Sequence, residues 1–338
     1  MNKHQFEARR DKLRSLIHKA RLSALVVTLD ANRYYLSGFE LHDAQINESS
    51  GCLIITADGP DWLCTDARYL DAARRLWDEN RIFIYRGNAM EQINGLLKQH
   101  ISGTIGFEAR NISLAEYEQL ARDLAMQRAD GMIESLRLIK EPEEIRRMEH
   151  SCALNHKLMQ WLPEALLPGR TEAQVAWDIE QFVRNNGAEE LAFPCIVAVD
   201  GNAALPHAEP GGDRVHDNCC VLVDVGCRFE RYCSDQTRTF WVGDRPDPDF
   251  ARDLDIVKEA QARAIMAIQP GALIADVYRA ARAYLNECLV GDLFTHGLGH
   301  GIGLQTHESP SLGSTGTGVL QPGMVVTVEP GVYRAGRY

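Results

Sequence analysis

Leu222–Gly243 reads LVDVGCRFERYCSDQTRTFWVG. Residues 219–225 and 232–242 are rich in β-branched and aromatic side chains, with Gly226 and the polar run Arg228–Arg231 between them, so two strands of one hairpin are expected. A turn about Phe229–Glu230 would set Asp224 opposite Asp235, with Cβ atoms roughly 4.5–5.5 Å apart. Two carboxylates so placed repel unless a cation lies between them. Paired acids in hairpins are often only solvated surface residues, but Asp224 interrupts an apolar strand, where an unpaired charge is costly. Thr237 returns to the face of Asp235 by period two and could support the pair with its hydroxyl.

Two later stretches extend this pair. HGLGHGIGLQTHE (His296–Glu308) carries His300 in an HxxxH spacing, and VVTVEPGVY (Val325–Tyr333) places Glu329 between a strand-like run and Pro330–Gly331. Asp224, Asp235, His300 and Glu329 together form a donor set suited to Mn²⁺, Co²⁺, Fe²⁺ or Zn²⁺. Two such ions acidify a water between them and polarise a carbonyl, the chemistry of a two-metal hydrolase.

These segments resemble the M24 metallopeptidases, the family of aminopeptidase P, prolidase and methionine aminopeptidase, and the resemblance runs through nearly the whole chain. It implies an α/β N-terminal domain followed by an α+β pita-bread catalytic domain. By resemblance Asp224, Asp235, His300 and Glu329 are ligands of two divalent ions, Mn²⁺ foremost. His296 and His307 match positions that handle protons and bind the scissile carbonyl or the developing gem-diolate, and His207, in ALPHAEP, matches a histidine near the substrate pocket of the proline-specific branch. NRYYLSGF and TDARYLDAARR resemble the N-terminal domain of the creatinase and prolidase group, which points away from methionine aminopeptidase. Asp66, Arg68 and Tyr69 lie there and read as domain or subunit interface residues, because that domain carries no metal ligand in the family.

The implied activity is hydrolysis of an Xaa-Pro bond in a proline-containing peptide, as an aminopeptidase or a dipeptidase, by a homodimer. A metal-independent creatine amidinohydrolase on the same fold is one alternative, and retention of all four ligands speaks against it. A non-enzymatic interaction protein is the other. The family pattern places a second ligand glutamate shortly beyond EPGVY, and the chain ends at Arg337–Tyr338 before it. The catalytic domain is therefore expected to lack its closing strand, and the natural product to continue by at least one strand with a glutamate.

Composition agrees with this reading without selecting it. The chain has 338 residues and a net charge of −11 with no basic stripe, so nucleic acid and anionic membrane are poor partners. No apolar run reaches the roughly 18 residues of a membrane span. MNKHQFEARRDKLRSLIHKA opens as a charged amphipathic helix rather than a secretion signal, so the cytoplasm is the expected location. The nine cysteines are odd in number and form no CxxC, which suits reduced, mostly buried thiols.

Strands are expected at Ala24–Thr28, Cys52–Thr56, Ile82–Tyr85 and Thr104–Phe107, alternating with helices at Lys12–Ala20, Asp71–Trp77, Ala89–Gln99 and Leu114–Leu124. Ser113 and Glu116 form a candidate capping box for the last helix. The domains are expected to divide as 1–128 and 129–338, with GMIESLRLIK (131–140) as a connecting strand. A long helix then opens at Glu141–Pro142, a second follows Thr171 with Gln174 reciprocating its cap, and a third covers Asp249–Ile268.

Overall fold

The structure, a computed structural model, describes residues 3–39 and 49–338. The chain forms two compact units that divide between Arg137 and Leu138.

The first unit follows the expected alternation. Its elements are α1 (Lys3–Lys19), β1 (Ala24–Val27), α2 (Asp30–Ser37), β2 (Cys52–Thr56), β3 (Trp62–Asp66), α3 (Leu70–Leu76), β4 (Ile82–Tyr85), α4 (Ala89–His100), β5 (Ile105–Phe107), α5 (Leu114–Leu120), β6 (Met126–Arg128) and α6 (Met132–Arg137). The strands form one sheet in the order β4-β3-β2-β1-β5-β6. Ala24, Val26 and Ile54 pack there with Ile93 and Leu97 of α4. Ser113 and Glu116 close the expected capping box on α5. β3, β6 and α2 are additional to the expected elements. GMIESLRLIK is not a connecting strand: α6 occupies its first part and buries Ile133 and Arg137 one helical turn apart.

The second unit repeats one motif, a pair of helices laid over strands. In its first half these are α7 (Pro142–Ala165) and α8 (Glu172–Asn185), then β7 (Glu190–Leu191), β8 (Ile196–Val199), β9 (Cys219–Val225), β10 (Cys227–Phe229), β11 (Tyr232–Cys233) and β12 (Gln236–Val242). Capping boxes start both helices, Glu141 with Glu144 and Thr171 with Gln174. Leu158 and Leu162 of α7 and Val175, Ile179 and Val183 of α8 bury against Val197, Val221, Val223 and Val225. The second half comprises α9 (Pro248–Ala267), α10 (Ile274–Glu287), β13 (Gly299–Gly301) and β14 (Glu308–Leu312). Ala260, Ala264, Val277, Ala281 and Leu285 form its core with Leu298 and Leu312, and Met324, Val326 and Val328 pack alongside.

The hairpin differs from expectation in register. Asp224 pairs with Thr237, not Asp235, and Phe229 with Tyr232, so the turn is Glu230–Arg231, both at positive φ. The register is offset by two residues. That offset keeps every side chain on its expected face and moves Asp235 to a diagonal of Asp224, in the break between β11 and β12. Gly226 permits the break, since a Cβ there would lie 2.1 Å from the Ser234 carbonyl oxygen. Helix α7 braces it: Asn155 Nδ2 donates to the Val225 carbonyl (2.8 Å) and Ser151 Oγ to the Cys227 carbonyl (2.7 Å), both from buried positions. The run expected as a strand at Val325–Glu329 is extended beside β13 with a single bridge, Gly301 to Val326. It is tied to β13 by bonds from Thr327 N–H to His300 O (2.8 Å) and Glu329 N–H to Leu298 O (2.6 Å).

Candidate metal centre

Both halves of the second unit deliver carboxylates and imidazole to one place. On β9 the valines 221, 223 and 225 fill the helix-facing core, so Asp224, by period two, faces the other way. Asp235 stands in the hairpin break with its side chain 7% exposed. His300 comes from β13, and Glu329 from the extended run beside it. His300 Nε2 lies 3.5 Å from Asp235 Oδ2 and 3.3 Å from Glu329 Oε1. One donor atom from each of Asp235, His300 and Glu329 falls within 4.8 Å of the others, a metal-sized cluster. Asp224 adjoins this trio through Asp235.

The electrostatics show what the cluster lacks. Burial, and then the neighbouring Asp235 charge, push the Asp224 carboxyl up to about 7, against a hydrogen bond from Thr237. Asp224 Oδ1 is buried without a hydrogen-bond partner. Burial opposes a charge on His300, but hydrogen bonds to Asp235, Glu329 and the Gly301 carbonyl overcome it and raise the imidazole to about 10. Burial likewise opposes ionisation of Glu329, and His300 and Thr327 outweigh it, holding that carboxyl below its usual range. His300 Nδ1 engages the Gly301 carbonyl at 2.9 Å, which leaves Nε2 turned to the acids. A divalent cation fits this donor set: it would satisfy the orphaned Asp224 oxygen and replace the proton on His300.

A pH dependence follows. Between about pH 4 and 7 the folded protein keeps a proton on Asp224 that the unfolded chain releases, and between about 6.5 and 10 it keeps one on His300. The folded state binding more protons, stability falls as pH rises. His307, its pKa depressed, opposes the trend below about pH 6.5, so chelator-treated protein should melt at progressively lower temperature from about pH 6.5 to 9, and divalent cation should flatten the trend while releasing protons on binding. Melting curves across that range, with and without Mn²⁺, measure it. A metal-free melting temperature that rises with pH would contradict the assigned proton positions.

Of the other histidines singled out in the sequence, His307 touches the cluster, and the charge of His296 is felt at Glu329. The His307 ring lies 4.2 Å from that of His300, centroid to centroid, and burial and the His300 charge depress its pKa. His207 is exposed, and its charge is felt at His307. His296 is one step back, with Nε2 2.8 Å from the Tyr333 hydroxyl and Nδ1 2.7 Å from the Gly297 carbonyl. Thr237 bonds to Asp224 as its face suggests.

Sequence reasoning missed two residues. Tyr333 partners His296, and burial raises its hydroxyl to about 12. Thr327 Oγ1 accepts the His300 N–H at 3.0 Å and also bonds to the Glu329 carboxylate. The period-two rule that found Thr237 would have found Thr327, two residues before Glu329. Asp200, His216 and Cys219 form a second donor group, but its members already partner one another: His216 Nε2 meets Asp200 at 2.8 Å, and Asp200 and Cys219 accept the N–H groups of Cys220 and His216.

An α/β unit followed by helix pairs over strands in two halves, with carboxylates and imidazole converging from both, is the architecture of a pita-bread metallopeptidase. Residues 146–338 match metallopeptidase family M24 and residues 9–139 the creatinase/prolidase N-terminal domain. The chain belongs to metallopeptidase family M24. It is 31% identical over 327 residues to an Xaa-Pro dipeptidase of Pyrococcus furiosus, covering 96% of this chain and 90% of that one. An Xaa-Pro dipeptidase structure from Bacillus anthracis superposes with a TM-score of 0.90 at 30% identity, covering 98% of this chain and 92% of the other. The N-terminal domain of FACT complex subunit SPT16 from Cicer arietinum shares the fold, with a TM-score of 0.78 at 18% identity over 97% of this chain and 88% of that one. Among the described residues no helix is long and apolar enough to cross a membrane.

Proposed function

We propose that the protein is a dinuclear metal-dependent exopeptidase that cleaves the bond between an N-terminal residue and proline. The observation that carries this reading is the convergence of Asp235, His300 and Glu329 within 4.8 Å, with the orphaned Asp224 oxygen beside them. Likeness to Xaa-Pro dipeptidases over nearly the full length supports the choice of substrate. Asp224, Asp235, His300 and Glu329 are the proposed ligands, and their oxygen-rich set favours Mn²⁺ over softer ions. Divalent cations held there supply an acidified water and a polarised carbonyl.

The chain's own side chains do the rest. His307, its pKa depressed, is neutral at pH 7 and stands beside His300 where it can donate to the carbonyl oxygen as charge builds. His296, oriented by Tyr333, passes a proton toward the leaving nitrogen, which in an Xaa-Pro bond is a tertiary amide with no hydrogen of its own. His207 offers an exposed ring against which the rigid prolyl group can rest. A homodimer in the cytoplasm completes the reading, and the free, mostly buried thiols are compatible with a reducing compartment.

Given Mn²⁺, an Xaa-Pro peptide should be hydrolysed faster than its Xaa-Ala counterpart by a factor on the order of 100. Equal rates, or a preference for N-terminal methionine irrespective of proline, would overturn the assignment. Hydrolysis of creatine that survives chelation would mark an amidinohydrolase instead. Comparing Xaa-Pro with Xaa-Pro-Yaa then separates dipeptidase from aminopeptidase.

A further inference from the structure

Two charges are buried where the metal centre has no use for them. Lys140 Nζ meets Glu308 Oε2 at 3.1 Å, with side chains only 2% and 7% exposed. A buried ion pair is a poor way to gain stability, because desolvation consumes most of the attraction and apolar replacements often do as well. The placement of this pair suggests another use. Glu308 directly follows His307 and opens β14, where it lies across from Gly301, the residue after His300. Its other oxygen accepts the Gln305 N–H at 3.0 Å and closes the loop that leads into His307. Gly303 packs so closely beneath that a Cβ there would stand 2.9 Å from both carboxylate oxygens. The Lys140 N–H donates to the Gly323 carbonyl at 2.8 Å, at the start of the run that brings in Glu329. One lysine therefore joins the segment of His307 to the segment of Glu329.

Successive side chains near a strand start point to opposite sides. Glu308 goes inward to Lys140, and His307 goes outward to His300. We propose that the buried Lys140–Glu308 pair positions His307, fixing the direction in which its imidazole meets the metal centre. This inference rests on the peptidase reading above for its catalytic consequence, though not for its structural one.

The test uses the full chain with Mn²⁺. Lys140→Met alone strands a buried carboxylate, so its melting temperature should fall. The double variant Lys140→Met/Glu308→Gln removes that charge while keeping an acceptor for Gln305, and its melting temperature should largely recover. If the pair positions His307, kcat on an Xaa-Pro peptide stays down by about 10²-fold in the recovered double variant, with metal content and KM near wild type, as for a displaced catalytic group. If kcat recovers together with melting temperature, the pair is only structural and the proposal fails. A second readout needs no turnover. In protein labelled at histidine, the His307 ring signals, assigned by their loss in His307→Ala, should shift or split in the double variant. Unchanged signals overturn the proposal even if the enzyme is a prolidase. Shifted signals in a protein with no Xaa-Pro activity uphold the positioning role and reject the peptidase reading.

Discussion

Replacing His300 with alanine is expected to remove bound metal and peptidase activity together. His300 Nε2 stands between Asp235 and Glu329, at 3.5 and 3.3 Å, with its other nitrogen already committed to the Gly301 carbonyl. Among the described residues no other imidazole joins that donor cluster: the His307 ring lies tilted against that of His300, and His296 is held by Tyr333. Without the ring, the acids Asp224, Asp235 and Glu329 face one another with less to offset their repulsion. Turnover should fall by more than about 10³-fold, beyond the loss of a single oxyanion donor. Elemental analysis after dialysis, read beside the peptidase assay, decides the matter. A His300→Ala protein that retains wild-type metal would remove His300 from the ligand set.

The second large effect separates the remaining histidines from the ligands. His307→Ala and His296→Ala should each keep the metal while turnover falls by about 10²–10⁴-fold, the range for a lost oxyanion or proton-transfer partner. The expectation for His307 follows from its ring beside His300 and its depressed pKa. That for His296 follows from its commitment to Tyr333 rather than to the acids. Loss of metal in His296→Ala would require the ligand and proton-carrying roles to be exchanged.

Much of this arrangement could be read from residue order, because local rules govern it. Alternation on β9 puts the valines at 221, 223 and 225 into the core and turns Asp224 away, and the caps at Ser113 and Thr171 follow from spacing alone. The hairpin register was not readable. A shift of two residues leaves every face unchanged, so the hydrophobic pattern cannot separate Asp224 opposite Asp235 from Asp224 opposite Thr237. What selects the observed register lies far away in the chain: Asn155 and Ser151 of α7, and the room that only Gly226 leaves for the Ser234 carbonyl. Residues 131–137 misled because a short apolar run suits either period, and the burial of Ile133 and Arg137 one turn apart is set by the surrounding fold. Lys140 and Glu308 are separated by 168 positions, and nothing local announces that they meet.

In the second unit one hydrophobic core is gathered by α7 and α8 and another by α9 and α10, and each half sends two of the four proposed ligands toward the other. A cation bound there acts as a rivet as well as a reagent. Its binding free energy is drawn on both for chemistry and for cohesion between the halves, so resistance to heat and proteolysis should track free metal concentration through mass action. Cells short of the metal would then hold a protein that is idle and also easier to degrade, and the supply of one ion would set both how fast each molecule works and how many persist.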